Sequence, residues 1–237
     1  MSYMIRGVRT DVPESEILWG LNDDTPNEEV VEKVFELIRT NAFLPTATLD
    51  GGEPAIRVIE YTRLSDGKLY LCTAKDKRFY RQLIACPRIA VGATLNTWAG
   101  LRMNAVVREV SDDPAIFDEY ISLNPGTAKM FRHDLHGAAA IFELVKGEGE
   151  MYHLYDSDHI RRVRFAFGGA EKKPRLYRIT DACVGCGTCL ENCSMEAICQ
   201  LDNGRYRIRE DACEECGICY RACPLSGTAL VRDGDQA

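Results

Sequence analysis

The chain has 237 residues, 46% hydrophobic and 27% charged, with 29 Lys and Arg against 36 Asp and Glu for a net charge of −7. That acidic balance disfavours nucleic acid as a partner, and no apolar run approaches the length of a membrane span. The length suits two domains. Met1 to Thr10 shows no apolar stretch behind a basic start, so a soluble, cytoplasmic protein without a signal peptide is expected.

Residues 1–26 read as an irregular extension punctuated by Pro13 and Pro26. Thr25-Pro26-Asn27-Glu28-Glu29 signals a helix start, with a cap, a proline at the first helical position and acids in the first turn. Val30, Val31, Val34, Phe35, Leu37 and Ile38 follow at helical spacing as far as Thr40-Asn41. Runs at 44–49, 55–62 and 69–73 predict strands, separated by the turns Asp50-Gly51-Gly52 and Ser65-Asp66-Gly67-Lys68. A short helix is expected from Arg78 to Ala85, stopping at Cys86-Pro87. Strands at 89–95 and 101–110 come next, then a helix opened by Asp112-Asp113-Pro114 and running to about Leu123, then strands at 138–145 and 150–155. Many short strands with a few helices between them indicate a closed β-barrel, here a domain over 27–156.

Residues 157–175 read as a basic linker, with Arg161, Arg162, Arg164, Lys172, Lys173 and Arg175 around Gly168-Gly169. A solvated, flexible connection is the plain reading. A strap docking electrostatically on the acidic segment beyond is the other, and Phe165 and Phe167 argue that part of it packs.

Nine of the eleven cysteines lie in residues 176–237, eight of them in two copies of one spacing. Cys183-x2-Cys186-x2-Cys189-x3-Cys193 is followed thirty residues later by Cys213-x2-Cys216-x2-Cys219-x3-Cys223-Pro224. This is the run with which bacterial ferredoxins hold two [4Fe–4S] clusters, the fourth cysteine of each copy serving the other cluster. Cluster I is therefore assigned to Cys183, Cys186, Cys189 and Cys223, and cluster II to Cys213, Cys216, Cys219 and Cys193. Zinc sites take their ligands as two separated pairs, and a disulfide scaffold needs an oxidising compartment, so neither suits four cysteines in one run. Ser194 stands where the pattern has proline, which removes no ligand. Tyr177-Arg178-Ile179 parallels Tyr206-Arg207-Ile208, and Asp181-Ala182 parallels Asp211-Ala212, so each half reads as strand, cysteine loop, helical turn and return strand. Cys72, Cys86 and Cys199 are expected as small buried residues, and His133 and His136 as surface histidines.

Several segments before the cysteines carry a resemblance. They are Glu53-Pro54-Ala55-Ile56-Arg57-Val58, Leu69 to Lys77, Tyr80 to Ala90, Trp98 to Val106, Asn124-Pro125 and Ala140 to Leu144. From Ala47 to Leu154 the chain resembles the FMN-binding split-barrel family related to pyridoxamine 5′-phosphate oxidase, in particular its nitroimidazole-resistance branch. The resemblance implies a homodimer of barrels with FMN at the interface. It makes Arg57, Thr73 and Lys77 the phosphate and ribityl candidates, with Gln82 one helical turn on. Val58 and Ala74 would flank the ring through their backbones, and Trp98 and Arg102 would approach the flavin across the dimer. Relatives with this barrel also bind deazaflavin or haem. Further phosphate and substrate residues of the oxidase proper have no counterpart here, so that activity is not expected.

The fold class expected is a mainly β split barrel followed by a small α+β dicluster ferredoxin domain. The function expected is a flavo-iron–sulfur oxidoreductase that passes electrons between two [4Fe–4S] clusters and FMN to reduce a small acceptor. The donor is not specified by the sequence. The alternatives are an electron carrier between protein partners and a redox sensor.

Overall fold

The computed structural model describes residues 4–5, 8–9, 18–22, 24–41, 43–96, 99–154 and 160–234. A two-stranded ribbon, β1 (Met4–Ile5) and β2 (Val8–Arg9), precedes helix α1 (Asn27–Asn41). The barrel strands are β3 (Phe43–Asp50), β4 (Glu53–Glu60), β5 (Thr62–Arg63), β6 (Leu69–Ala74), β7 (Arg88–Asn96), β8 (Ala99–Glu109), β9 (Ala139–Leu154) and β10 (Ile160–Phe167). Helix α2 (Arg78–Ala85) links β6 to β7, and α3 (Pro114–Leu123), α4 (Pro125–Met130) and α5 (Leu135–Ala138) lie between β8 and β9.

These strands form one antiparallel sheet in the order β4-β3-β7-β8-β9-β6-β5, with β10 joined to β9. The sheet curls into a half-barrel and forks at β9. One edge of that strand pairs with β8, while the other pairs first with β6 over 139–143 and then with β10 over 147–154. Period-two alternation explains which face is inside. Leu101, Met103, Ala105 and Val107 of β8 are buried, and Arg102, Asn104 and Arg108 between them are exposed. Val30, Val34 and Ile38 of α1 close the core against Leu69, Leu71, Phe142, Met151 and Phe165. Burying each such side chain contributes about 1.5–3 kcal/mol. Asn27 clamps α1 to β10, its amide donating to the Ala166 carbonyl at 2.8 Å and its carbonyl accepting from the Ala166 N–H at 3.0 Å.

Three expectations fail here. The barrel is not closed, since the sheet ends at β4 and β5 among the described residues. The two strands read at 138–145 and 150–155 are the single strand β9. Gly147 and Gly149 are not a turn but points of close approach: a Cβ at Gly149 would lie 2.3 Å from the Arg102 carbonyl, and one at Gly147 would lie 2.6 Å from that of Asn104. The segment read as a solvated linker is the strand β10 over Ile160–Phe167, with Val163 and Phe165 in the core. The true break comes at Gly168, whose positive φ lets the chain turn under the Val145 carbonyl.

The C-terminal part holds two small antiparallel sheets and two short helices. They are β11 (Tyr177–Ile179), α6 (Thr188–Glu191), β12 (Ile198–Gln200), β13 (Tyr206–Ile208), α7 (Ile218–Ala222) and β14 (Leu230–Arg232). β11 pairs with β14 and β12 with β13. The first strand of one half therefore meets the return strand of the other. Among the described residues no helix is long and apolar enough to cross a membrane.

Candidate functional site

Three groups of residues stand out, two on the barrel and one in the C-terminal part. At the β6–α2 junction, Arg57 projects from β4. Its guanidinium donates to Thr48 Oγ1 at 2.6 Å and to Gln82 Oε1 at 2.8 Å, and it lies 4.5 Å over the Phe79 ring. Thr48 in turn donates to Gln82 Oε1 at 2.7 Å. Thr48 and Gln82 are buried, so this polar set is fixed from below. Thr73 is buried at the end of β6, Ala74 is half-buried beside it, and Lys77 sits exposed at the α2 N-cap with no side-chain cap. The first N–H groups of α2 and the Lys77 ammonium together present positive charge to an anion. Val58 stands exposed on β4 next to Arg57, as does Ile56. Trp98 lies outside the described residues. The structure thus gathers Arg57, Gln82 and Phe79, with Thr73, Ala74 and Lys77 at the same helix start. Thr48 was missed, although the alternation that turns Leu44, Thr46 and Thr48 inward was there to be read.

Arg102 is elsewhere, on the outer face of β8. It donates to Glu150 at 2.7 Å and lies over the Tyr152 ring. With Asn104, Glu148, Arg164, Lys173 and Glu215 it lines a groove of about 410 Å³ between the barrel and the C-terminal part. This seam is built from ion pairs. The Arg162 N–H donates to the Asp211 carbonyl at 3.0 Å. Its guanidinium bridges Glu150 and Glu214 at 2.9 Å each, and Arg164 reaches Glu215 at 3.4 Å. The Leu176 N–H donates to Glu215 at 2.7 Å. Burial pushes the Glu150 carboxyl up, but the charges of Arg162, Arg102 and Arg175 outweigh it and hold the group below the ordinary range. The strap reading of Arg161, Arg162 and Arg164 fits this arrangement, while the solvated-linker reading does not.

In the C-terminal part the eight motif cysteines line two separate hollows. One is walled by Cys183, Cys186, Cys189 and Cys223 with Ile179, Val184 and Leu230. The other is walled by Cys193, Cys213, Cys216 and Cys219 with Ile198, Ile208 and Ile218. Each takes three cysteines from one loop and the fourth from the other. The loops turn at Gly187 and Gly217, both left-handed. A Cβ on Gly217 would lie 2.5 Å from the Tyr177 hydroxyl, and one on Gly187 would lie 3.4 Å from that of Tyr206, so the tyrosine of each half covers the loop of the other. Backbone N–H groups of Ala197 and Glu215 donate to Cys193 and Cys213 at 3.4 and 3.3 Å. None of the eight is in a disulfide. Among the described residues no three His, Cys, Asp or Glu side chains are gathered tightly enough for a single metal ion. Sulfur-only donors around an apolar hollow suit a cubane, which spreads its four thiolates over separate corners.

The other cysteines differ from expectation in detail. Cys72, Cys86 and Cys199 are half-buried rather than buried. Burial pushes the Cys72 thiol up to about 11 against the opposing Ala140 backbone and Lys77 charge, so it is inert as a thiolate. Cys199 Sγ faces Arg207 Nε at 3.4 Å. His133 and His136 are exposed, the second stacked on Phe117.

Residues 30–145, just under half of the chain, match the family model of pyridoxamine 5′-phosphate oxidase. Among solved structures, a NimC/NimA family protein from Clostridium acetobutylicum aligns with a TM-score of 0.50 and 19% identity, covering 57% of this chain and 92% of that one. A protein related to general stress protein 26, also from Clostridium acetobutylicum, aligns at 0.44 and 18%, covering 59% and 96%. A pyridoxamine 5′-phosphate oxidase-related FMN-binding protein from Nostoc punctiforme aligns at 0.37 and 15%, covering 60% and 97%. The last two scores carry no weight. The first identifies the fold of the barrel as a split barrel. Comparison with curated proteins gives no match.

Proposed function

We propose that this chain is a flavo-iron–sulfur oxidoreductase, with FMN on the barrel and two [4Fe–4S] clusters in the C-terminal part. The observation that carries the reading is the pair of hollows, each lined by four cysteines drawn crosswise from two loops. Cys183, Cys186, Cys189 and Cys223 would hold one cluster, and Cys193, Cys213, Cys216 and Cys219 the other. When bound, the clusters carry single electrons and the flavin couples one- and two-electron chemistry.

The protein's own contribution is placement. The family match over residues 30–145 supports a flavin, and the uncapped α2 start with Lys77, beside Arg57 and Thr73, supports a phosphate there. Arg57 is pre-oriented by Thr48 and Gln82, so it would meet an anion with little loss of side-chain freedom. The ion pairs of the seam hold the cysteine loop 210–215 on the barrel. Ile56, Val58 and Phe43 expose more than half of their surface on the β3–β4 edge, which supports a second copy of the chain packing there. We place the ferredoxin-like unit at 176–237 and the barrel at 27–167.

A second reading, an electron carrier, is favoured by the rim of the first hollow, where Val184 is 70% and Leu225 38% exposed. That apolar rim suits a docking protein. One experiment separates the two. The loaded protein, reduced anaerobically, is challenged with nitroaromatics, quinones and free flavins. Multiple turnovers with any of them support the reductase. Reoxidation by a redox protein alone moves the assignment to the carrier.

A further inference from the structure

The two cysteine hollows are not equivalent in their surroundings. The loop that supplies Cys213 and Cys216 also supplies Asp211, Glu214 and Glu215, which bond to β10. The Cys193/Cys213/Cys216/Cys219 hollow is therefore the inner one, against the barrel. The other hollow is outer, and its lining contains no charged side chain.

Arg175 sits at the inner end of this seam, and its side chain is 3% exposed. One nitrogen donates to the Glu210 carbonyl, and Nη1 stands 3.8 Å from Glu150 Oε2. Its Nε and Nη1 have no hydrogen-bond partner. Arg162 also leaves its Nε unpartnered, but Arg162 and Arg164 are each paired with a glutamate of the cysteine loop. A buried guanidinium with two orphaned N–H groups is costly unless a further negative charge stands nearby. Beyond Glu150, a cluster bound in the inner hollow would supply one. The Glu210 carbonyl that Arg175 holds opens the same loop that carries Cys213 and Cys216.

Four thiolates around a [4Fe–4S] core make an anion, and reduction adds one more negative charge. In a low-dielectric interior a fixed cation favours that reduced state. We propose that Arg175 is a potential-setting residue: its buried, incompletely paired guanidinium raises the midpoint of the cluster held by Cys193, Cys213, Cys216 and Cys219, opposing the Glu214 carboxylate that lines the same hollow. This inference rests on the cluster reading above.

The test is an EPR-monitored potentiometric titration of the full chain, loaded anaerobically with iron and sulfide. Cys186→Ala, which disables the outer set, identifies the inner midpoint. Arg175→Gln shifts the inner midpoint down and leaves the outer one in place. Arg175→Lys, which keeps the charge, stays near wild type. Glu150→Gln, which removes the carboxylate opposing Arg175, shifts the inner midpoint up. Unchanged midpoints in a fully loaded Arg175→Gln protein overturn the proposal, as does an equal drop in Arg175→Lys, which would assign the effect to shape. If Arg175→Gln fails to load, Glu150→Gln decides: an upward shift supports the proposal and no shift overturns it. A wild-type chain that takes up no iron overturns the cluster reading itself, a result distinct from loaded variants with unmoved midpoints.

Discussion

Arg57 shows how one side chain serves both packing and recognition. Its planar fork donates to Thr48 and Gln82, and its face rests on Phe79 in the first turn of α2, so the guanidinium is held at that helix. Arg57→Ala removes a charge-assisted contact of about 1.5–3 kcal/mol. It is expected to weaken FMN binding by about ten- to a hundredfold and to leave iron content unchanged. Flavin fluorescence titration of the apoprotein measures the first, and metal analysis the second. Unaltered FMN affinity would confine Arg57 to holding Gln82. Arg57, Gln82 and Lys77 were legible through the resemblance. Thr48 was not, because a threonine in a strand looks the same whether it faces a core or a guanidinium.

At the scale of elements, β9 is the member on which the barrel depends. It pairs with β8 along its length and forks to β6 and β10. Glu143 pins the fork: it is buried, and its carboxylate takes Lys68 Nζ and Arg108 Nη2, each at 2.7 Å. Burial pushes this carboxyl up, but the hydrogen bonds from Lys68 and Arg108 outweigh it and hold it below the usual range. A carboxyl depressed in the folded state contributes stability above its unfolded pKa and loses it as pH falls through the folded value. Glu143→Gln should therefore lower the melting temperature at neutral pH and flatten its fall below about pH 4.5. The cost is expected near 1 kcal/mol, since Lys68 and Arg108 are at least half exposed. Thermal melts from pH 7 to pH 3 measure it, and parallel curves for variant and wild type would remove Glu143 from the account. Helix α1 and most strand bounds were legible from periodicity. The continuity of β9 was not, because glycine marks a turn and a close backbone approach with the same letter. Strand β10 was hidden for a similar reason: its outward arginines, matched to loop carboxylates, read in sequence as a solvated charge run.

At the scale of the molecule, two units of different construction meet at an ion-paired seam. The barrel carries its own apolar core. The C-terminal part has a much smaller one, built around Ile198, Tyr206 and Leu230 together with Cys189 and Cys219. A unit this small needs staples, which clusters bound by its cysteines would provide under the proposed function. The exact repeat of cysteine spacing made the two halves legible, since the same spacing recurs thirty residues on. Their contact with the barrel was less so, because ion pairs between distant segments leave no period. The most direct test of the central claim is the iron, acid-labile sulfide and flavin content of the chain purified without oxygen. The account predicts about eight iron and eight sulfide per chain with one flavin. Zinc in place of iron, or iron without sulfide, would contradict it.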